Sequence, residues 1–426
     1  WGTPIPVWRC ECGHIECIGS RQELVDKAQE KIDTSIELHR PYVDDVHLTC
    51  PECGKTMTRI PEVMDCWFDS GSMPFAQQHY PFEEFEECFP ADFICEGIDQ
   101  TRGWFYSLLA ISTFIMGKAP YRNVLVNDLI LDKEGKKMSK SKGNTVDPFA
   151  LFDKYGADVA RWYLLYTSPA WTPTRFDEDG VSEIQSKYFG TLRNVYNFFV
   201  LYSNQDNIDA ASLNAAPADR PELDRWILSR FNRLVKEVTA DMDNYEHMKA
   251  VKSITDFVAD DLSNWYIRRA RRRFYAEEMT EDKKSVYLTT YEILKGVVLL
   301  SAPFAPFISD EIYTKLTGEY SVHLAHFPEC DESLIDEELE KKMDLVRTIV
   351  ALGRGEREKE KIKVRQPLKE ILVDGKYESI IGDLTPLIKE ELNIKDVLFE
   401  SKLDAYMNYS LKPNFKVAGP VLGKNI

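Results

Sequence analysis

The sequence predicts a mixed fold, α/β plus all-α: half of a doubly wound parallel sheet carrying a small cysteine-paired insert, then a helix bundle, then the start of an α+β region. Three observations carry this. Two cysteine pairs, each followed by glycine, bracket the first 60 residues. Residues 61–170 alternate β-branched apolar runs with helically spaced ones, the pattern of strands crossing over through helices. Residues 222–317 keep a helical period throughout.

Residues 1–60 form the insert. Cys10-Glu-Cys12-Gly is matched about forty residues later by Cys50-Pro-Glu-Cys53-Gly, with a polar helix (Gln22 to Ile32) and an extended piece (Pro41 to Leu48) between them. A glycine after each pair frees backbone N–H groups to approach thiolate sulfur, and four thiolates complete a closed tetrahedral zinc site of the structural kind. The first pair is C-x-C and not the commoner C-x-x-C, so Cys17 and His14 stand as substitute ligands, and free thiols on loops are the plain alternative.

Residues 61–170 hold two polar blocks. Ala91 to Cys95 reads as a strand, and Glu96-Gly-Ile-Asp-Gln-Thr-Arg-Gly-Trp-Phe opens a helix running to about Ile115. Glu96, Gly97, Asp99 and Gln100 thus fall at the carboxyl end of a strand, where open α/β sheets bind ligands. A carboxylate there suits an ammonium group or ribose hydroxyls; alternatively Asp99 simply caps the following helix. Trp67 and Trp104 flank the polar groups, either as ordinary core or as walls of a pocket for a branched aliphatic side chain. The second block is Lys137-Met138-Ser139-Lys140-Ser141, between a strand over Asn123 to Asp132 and a helix over Pro148 to Thr167. Two lysines and two hydroxyls on a strand–loop–helix junction, with Gly135 and Gly143 beside them, are the parts of a phosphate-handling loop. A solvated basic turn uses the same residues.

Residues 171–221 read as irregular chain from Pro169 to Val181, helix from Ser182, and a linker over 207–221 with Pro217 and Pro221. The bundle, 222–317, divides into Leu223–Met242, Met248–Glu277, Glu281–Leu299 and Ala305–Leu316, stopping at Gly318. Its second helix carries Arg268, Arg269, Arg271, Arg272 and Arg273 among Trp265, Tyr266 and Phe274. Guanidinium groups suit phosphate and aromatic planes suit unstacked bases. The same face, solvated and paired with Glu277, Glu278 or the acids at 260–261, needs no ligand. Residues 318–426 combine a helix over Glu337–Lys361 with strands near Glu370–Val373 and Val397–Glu400.

A net charge of −17 argues against indiscriminate nucleic-acid binding, so any RNA contact must be a local basic patch. No apolar run approaches the roughly 20 residues that span a bilayer, and no signal peptide opens the chain. Nine cysteines, an odd number, fit reduced thiols or metal ligands better than a disulfide scaffold.

WGTPIPVW at 1–8, HRPYVDDV at 39–46, MDCWFDSGSMPFAQ at 64–77, EGIDQTRGWF at 96–105, KMSKSKGN at 137–144, LSNWYIRRARRRF at 262–274 and KIKVRQPL at 361–368 follow in order. Together they closely resemble the isoleucyl-tRNA synthetases of class I, over essentially the whole chain. The KMSKS block alone also fits valyl-, leucyl- or methionyl-tRNA synthetases; the DQTRGWF and VRQPL blocks favour the isoleucine family.

The resemblance implies the second half of a Rossmann-like catalytic sheet with a zinc-knuckle insert, a stem-contact region and an anticodon-binding bundle. It implies activation of isoleucine by ATP, with Mg2+, to isoleucyl-adenylate and pyrophosphate, and transfer to tRNA(Ile), in a cytoplasmic monomer with no membrane partner. Lys140, assisted by Lys137 within the ATP-binding loop of Lys137, Met138, Ser139, Lys140 and Ser141, would stabilise the leaving pyrophosphate. Glu96, with Gly97, Asp99 and Gln100, would contact the adenylate, while Trp67 and Trp104 line the isoleucine pocket. The five arginines would contact tRNA, and Cys10, Cys12, Cys50 and Cys53 would hold Zn2+. The family's His-x-Gly-His tetrapeptide does not occur in this sequence, and most of the editing domain would lie before residue 1. Apolar pockets separate isoleucine from valine weakly, a limit for which this enzyme family is the usual illustration. The expectation is therefore a carboxyl-terminal portion that neither completes adenylation nor proofreads by itself. A valyl- or leucyl-tRNA synthetase, or a non-catalytic tRNA-binding module, are the competing readings.

Overall fold

A computed structural model describes residues 2–83, 89–402 and 406. It divides into two compact units, Trp1–Val146 with Thr167–Asp177, and Asp147–Tyr166 with Glu178–Ile426.

The first unit begins with a four-stranded antiparallel sheet in the order Ile15–Cys17, Val7–Arg9, Thr56–Arg59, Leu48–Thr49. Alternation sets its faces: Met57 and Arg59 turn inward while Thr56 and Thr58 stay exposed. Trp8, Ile18, Leu24, Val43, Val46, Leu48 and Met57 form one core with Cys10 and Cys50. The helix here is Arg21–Lys27, shorter than the expected Gln22–Ile32. Ser20 caps its start by accepting from Glu23 N–H, and Glu23 reaches back to Gly19 N–H. It ends because the next residues pair elsewhere: Ala28 bridges Leu48, and Gln29 N–H donates to His47 C=O. The extended piece expected at Pro41–Leu48 instead contains a 3-10 turn, Tyr42–Asp45, which aims Asp44 at the buried Arg59 guanidinium, 2.6 Å away.

Further on, Ala91–Gly97 pairs in parallel with Tyr121–Asn127, and the connection between them holds the helix Trp104–Met116. The strand expected over Asn123–Asp132 is two strands. The second, Ile130–Leu131, leaves its predecessor and pairs in parallel with Thr174–Arg175. The break falls at Asp128, whose carboxylate accepts from Leu129 N–H (2.6 Å) while its own N–H donates to Ala170 C=O. A short polar side chain there competes with the ladder. The stretch expected to be irregular, 169–181, therefore contributes a strand and the start of the helix Glu178–Ile184.

In the second unit the helix expected over Pro148–Thr167 is broken at Gly156, whose φ of +91° excludes a continuous helix. Linker residues 207–221 hold only 3-10 turns. The bundle helices are Glu222–Asp243, His247–Asp256 running on through the π-helical Phe257–Ile267 into Arg268–Tyr275, Glu281–Ser301, and Pro306–Thr317 closed by Gly318 at φ +75°. Apolar residues at helical spacing put Trp226, Ile254, Val258, Leu262, Ile293 and Val297 fully inside. Trp162 stacks on Tyr188 and donates to Thr255 Oγ1 at 3.0 Å. After the bundle, the helix Glu337–Lys359 precedes a parallel pair, Leu368–Asp374 with Ile394–Glu400. Arg357, almost wholly buried, donates to the carbonyls of Lys363, Gln366, Leu392 and Asn393 and so fixes the turn after its helix. Among the described residues no helix is long and apolar enough to cross a membrane.

Candidate functional site

The four predicted cysteines converge. Cys10 and Cys12 sit on the turn between Val7–Arg9 and Ile15–Cys17, and Cys50 and Cys53 on the turn between Leu48–Thr49 and Thr56–Arg59. Gly13 (φ +98°) and Gly54 (φ +73°) take left-handed conformations that close each turn, their N–H groups donating to the carbonyls of Cys10 and Cys50. All four sulfurs lie within 4.8 Å of one another, with 3.4 Å from Cys10 to Cys53 and 3.7 Å from Cys12 to Cys50. Zn–S bonds of about 2.3 Å in a tetrahedron require sulfur separations of about 3.8 Å, so the donor set fits zinc. Burial pushes the Cys50 thiol up, but N–H groups of Cys53 and Glu52 donate to its sulfur and bring it down to about 7. Neither substitute ligand joins the cluster: Cys17 is exposed outside it, and His14 Nδ1 faces Glu52 at 3.2 Å.

At the carboxyl ends of the first parallel pair, Glu96 and Gly97 stand beside Val126 and Asn127. The chain turns through a 3-10 segment, Ile98–Arg102, before the helix begins at Trp104. That extra turn moves the cap. Gln100 Oε1 accepts from Trp104 N–H at 2.9 Å, so the capping role weighed for Asp99 belongs to Gln100. Asp99 instead folds back over Gly97, where a Cβ would lie 2.7 Å from its Oδ1, and accepts from Gln100 Nε2 at 3.1 Å. Glu96 is exposed and its carboxylate meets no partner among the described residues. Trp104 Nε1 donates to Ser70 C=O, tying this helix to Cys66–Gly71, whose cap is Asp65. The Trp67 ring lies 3.1 Å from where a Cβ on Gly103 would stand and is 45% exposed, so it is not core. Glu96, Gly97, Asp99 and Gln100 thus lie at the carboxyl end of this strand, with Trp104 opening the helix that follows and Trp67 against Gly103.

The loop Lys137–Ser141 follows Ile130–Leu131. Lys137 bridges Leu131, and Lys140–Lys142 makes a 3-10 turn ended by Gly143 at φ +65°. Ser139 and Ser141 hydroxyls face each other at 3.2 Å. The ammonium groups of Lys137 and Lys140 are exposed and form no ion pair among the described residues. Sequence reasoning missed two residues beneath the loop, Asp132 and Asn144, which are hydrogen-bonded to each other at 2.7 Å. That contact holds the Asp132 carboxyl below the usual carboxylate range, with help from Lys136 N–H.

The arginine helix divides. Arg273 grips Asp224, which is fully buried, through two bonds of 2.6 and 2.7 Å. Arg268 and Arg269 meet Glu391 at 2.5 and 2.7 Å, and Arg269 also meets Glu390. These partners replace the expected Glu277, Glu278 and acids at 260–261, because a neighbouring bundle helix supplies Asp224 and the later helix Thr385–Leu392 supplies Glu390 and Glu391. Arg271 and Arg272 alone stay exposed, with Tyr275 beside them in sequence and half-exposed. A cleft elsewhere in this unit, lined by Arg230, Arg233 and Arg347, is likewise internally neutralised by Asp261 and Glu340.

Residues 1–175 match the family model for tRNA synthetases class I (I, L, M and V), and residues 224–372 match that for the anticodon-binding domain of tRNA ligase. The whole chain is 52% identical to an isoleucine–tRNA ligase of Clostridium novyi, covering 41% of that protein, and 47% identical to one from Bacillus thuringiensis, again covering 41%. The chain thus spans about two fifths of the length of these curated relatives. Among solved structures it resembles the LeuRS of Agrobacterium radiobacter K84 in ternary complex with tRNA and LeuAMS, at TM-score 0.59 and 23% identity over 79% of this chain and 42% of that one.

Proposed function

We propose that this chain, whose residues 1–175 match the model for class I tRNA synthetases and whose residues 224–372 match that for the anticodon-binding domain of tRNA ligase, is the segment of an isoleucine–tRNA ligase that carries the phosphate loop, part of the adenylate site and the anticodon-binding domain. The observation that carries this reading is the pair of lysines, Lys137 and Lys140, without an ion-pair partner among the described residues, on a braced loop in a chain about half identical to isoleucine–tRNA ligases along its whole length.

In the reaction so assigned, a carboxylate oxygen of isoleucine attacks the α-phosphorus of ATP, the bond to the β-phosphate bridging oxygen breaks, and pyrophosphate leaves. The isoleucyl group then passes from the adenylate to a ribose hydroxyl at the tRNA 3′ end. Such displacements need positioned cations more than covalent help. Lys140, with Lys137, would neutralise the departing pyrophosphate, while Met138, Ser139 and Ser141 shape the loop around it. Mg2+ would arrive on the nucleotide's own phosphates. Glu96, the one carboxylate of its block without a protein partner among the described residues, would take the ammonium group or a ribose hydroxyl. Gly97 and Asp99 form the turn beside it. Gln100 spends its amide on the Trp104 cap and on Asp99, so its share is to hold that turn. Trp67 and Trp104 would wall the isoleucine side chain.

Zinc at Cys10, Cys12, Cys50 and Cys53 would tie the two turns of the first 60 residues together; four sulfur ligands leave no open position for catalysis. For tRNA, the ion pairs of Arg268, Arg269 and Arg273 leave Arg271 and Arg272 as the phosphate-binding pair. The domain plan follows: a zinc-knuckle module over 1–60, catalytic sheet over 61–170, stem-contact region and linker over 171–221, anticodon-binding bundle over 222–317, and a C-terminal region from 318.

The deciding experiment is ATP–pyrophosphate exchange on the complete gene product with isoleucine, valine or leucine. Exchange preferring isoleucine supports the reading, and exchange preferring another amino acid corrects the substrate. A failure with all three moves the chain to a non-catalytic RNA-binding role.

A further inference from the structure

We propose that Asn144, seated on Asp132, is a positioning residue that holds Lys137 and Lys140 in place for the phosphates of ATP. The inference rests on the phosphate role given to this loop.

Four hydrogen bonds build the brace. Asp132 is 9% exposed. Its Oδ1 accepts from Lys136 N–H at 2.7 Å, and its Oδ2 accepts from Asn144 Nδ2 at 2.7 Å. Asn144 Oδ1 in turn accepts from Ser139 N–H at 2.9 Å, and its Nδ2 also donates, at 3.3 Å, to Lys137 C=O. One amide therefore grips the loop backbone on both sides of Met138, and an almost buried carboxylate fixes that amide. Below it the chain from Asp132 to Lys136 is itself closed, by Gly135 N–H on Asp132 C=O and Asp132 N–H on Lys136 C=O, with Gly135 at φ +80°.

The division of labour points to a ligand. The backbone carrying the two lysines is tied to protein, whereas their ammonium groups are tied to nothing among the described residues. A loop that served only as surface would gain by pairing those charges with carboxylates of the protein. A braced local backbone with free cations sets the spacing of the two lysines before a polyphosphate arrives. The task also selects the residue type. Position 144 must accept from Ser139 and donate to Asp132 at once, which an amide does and a carboxylate or methyl does not.

The test is ATP–pyrophosphate exchange in the complete gene product. Lys140→Ala serves as the reference arm. Asn144→Ala is expected to lower kcat about tenfold to a hundredfold, the usual consequence of displacing a catalytic group by an ångström or so, while KM for isoleucine stays at the parent value. Asn144→Asp sets a second carboxylate against Asp132 and falls at least as far. The double variant Asp132→Asn with Asn144→Asp exchanges amide and carboxylate, restores the donor–acceptor pair between 132 and 144 and keeps the acceptor for Ser139 N–H, though not the donor to Lys137 C=O, and should recover part of the kcat that Asn144→Asp loses. The inference is overturned if Asn144→Ala keeps the parent kcat while Lys140→Ala loses exchange. It is equally overturned if the double variant remains as slow as Asn144→Asp, or if kcat and both KM values worsen together, as general loosening would give. Where Asn144→Ala fails to fold, the exchange of partners in the double variant decides alone. Parent-level exchange by Lys140→Ala would instead sink the phosphate reading itself, and with it this one.

Discussion

At the scale of single residues, the reading depends on one cation. Lys140→Ala in the complete gene product should slow adenylate formation by about a hundredfold or more, the cost typical of removing one stabiliser of developing charge. Equilibrium binding of isoleucine should hardly change; single-turnover kinetics beside calorimetric titration would separate the two. The brace beneath it has a definite pH range. Because the Asp132 carboxyl is held below its ordinary value, its contribution is fully present above a pH of about 4 and is lost as pH falls through the depressed value. The lysines, hydroxyls and flanking glycines were legible in the sequence because they are contiguous. Asp132 and Asn144 were not: they lie twelve residues apart across an irregular loop, and no period links them. The alternative weighed for Asp99, a helix cap, fails for a related reason. Its place ahead of a helix fits a cap, but the intervening 3-10 turn carries Gln100 into the capping position.

At the scale of elements, the arginine helix sets two outcomes against each other. Charge reversal at Arg271 and Arg272 should weaken tRNA binding, with little effect on the thermal midpoint. It should also reduce the slope of log affinity against log salt by about one for each phosphate the helix no longer neutralises. Arg273→Ala should do the opposite. It strands the buried Asp224 carboxylate, which otherwise accepts from Tyr266 and Ser285 as well, and should cost about 3–5 kcal/mol in a denaturant titration. Local pattern could not assign these roles, because Glu391 lies more than 120 residues from Arg268 and Arg269. The cysteine turns were easier, since a glycine after each pair announces the geometry. One zinc per folded chain is expected by elemental analysis, and a folded, metal-free preparation would contradict it. Helices were legible wherever apolar spacing persisted; their ends were obscured where a strand pairing or a left-handed glycine took over, as at Ala28 and Gly156.

At the scale of the whole molecule, the first unit leaves apolar surface uncovered. Phe93, Tyr106, Leu109, Phe114 and Val124 are 40% to 91% exposed on or beside a parallel pair of only two strands. Prepared as the 426-residue polypeptide, the protein should bind a hydrophobic dye strongly and self-associate as concentration rises. The complete gene product, assayed alongside, should do neither; equal dye binding by both would contradict this. The unit's cysteine turns carry a further consequence, for the unfolded chain. Cys10 and Cys53 stand 43 positions apart, so an ion held by all four sulfurs ties a long ring. Closing such a ring covalently would remove about 4 kcal/mol worth of disorder from the denatured ensemble. A metal tie acts the same way only while it persists during unfolding. Chelation therefore does more than remove a local tie: it lengthens the free chain, and the metal-free module should refold more slowly because its two turns must find each other by diffusion.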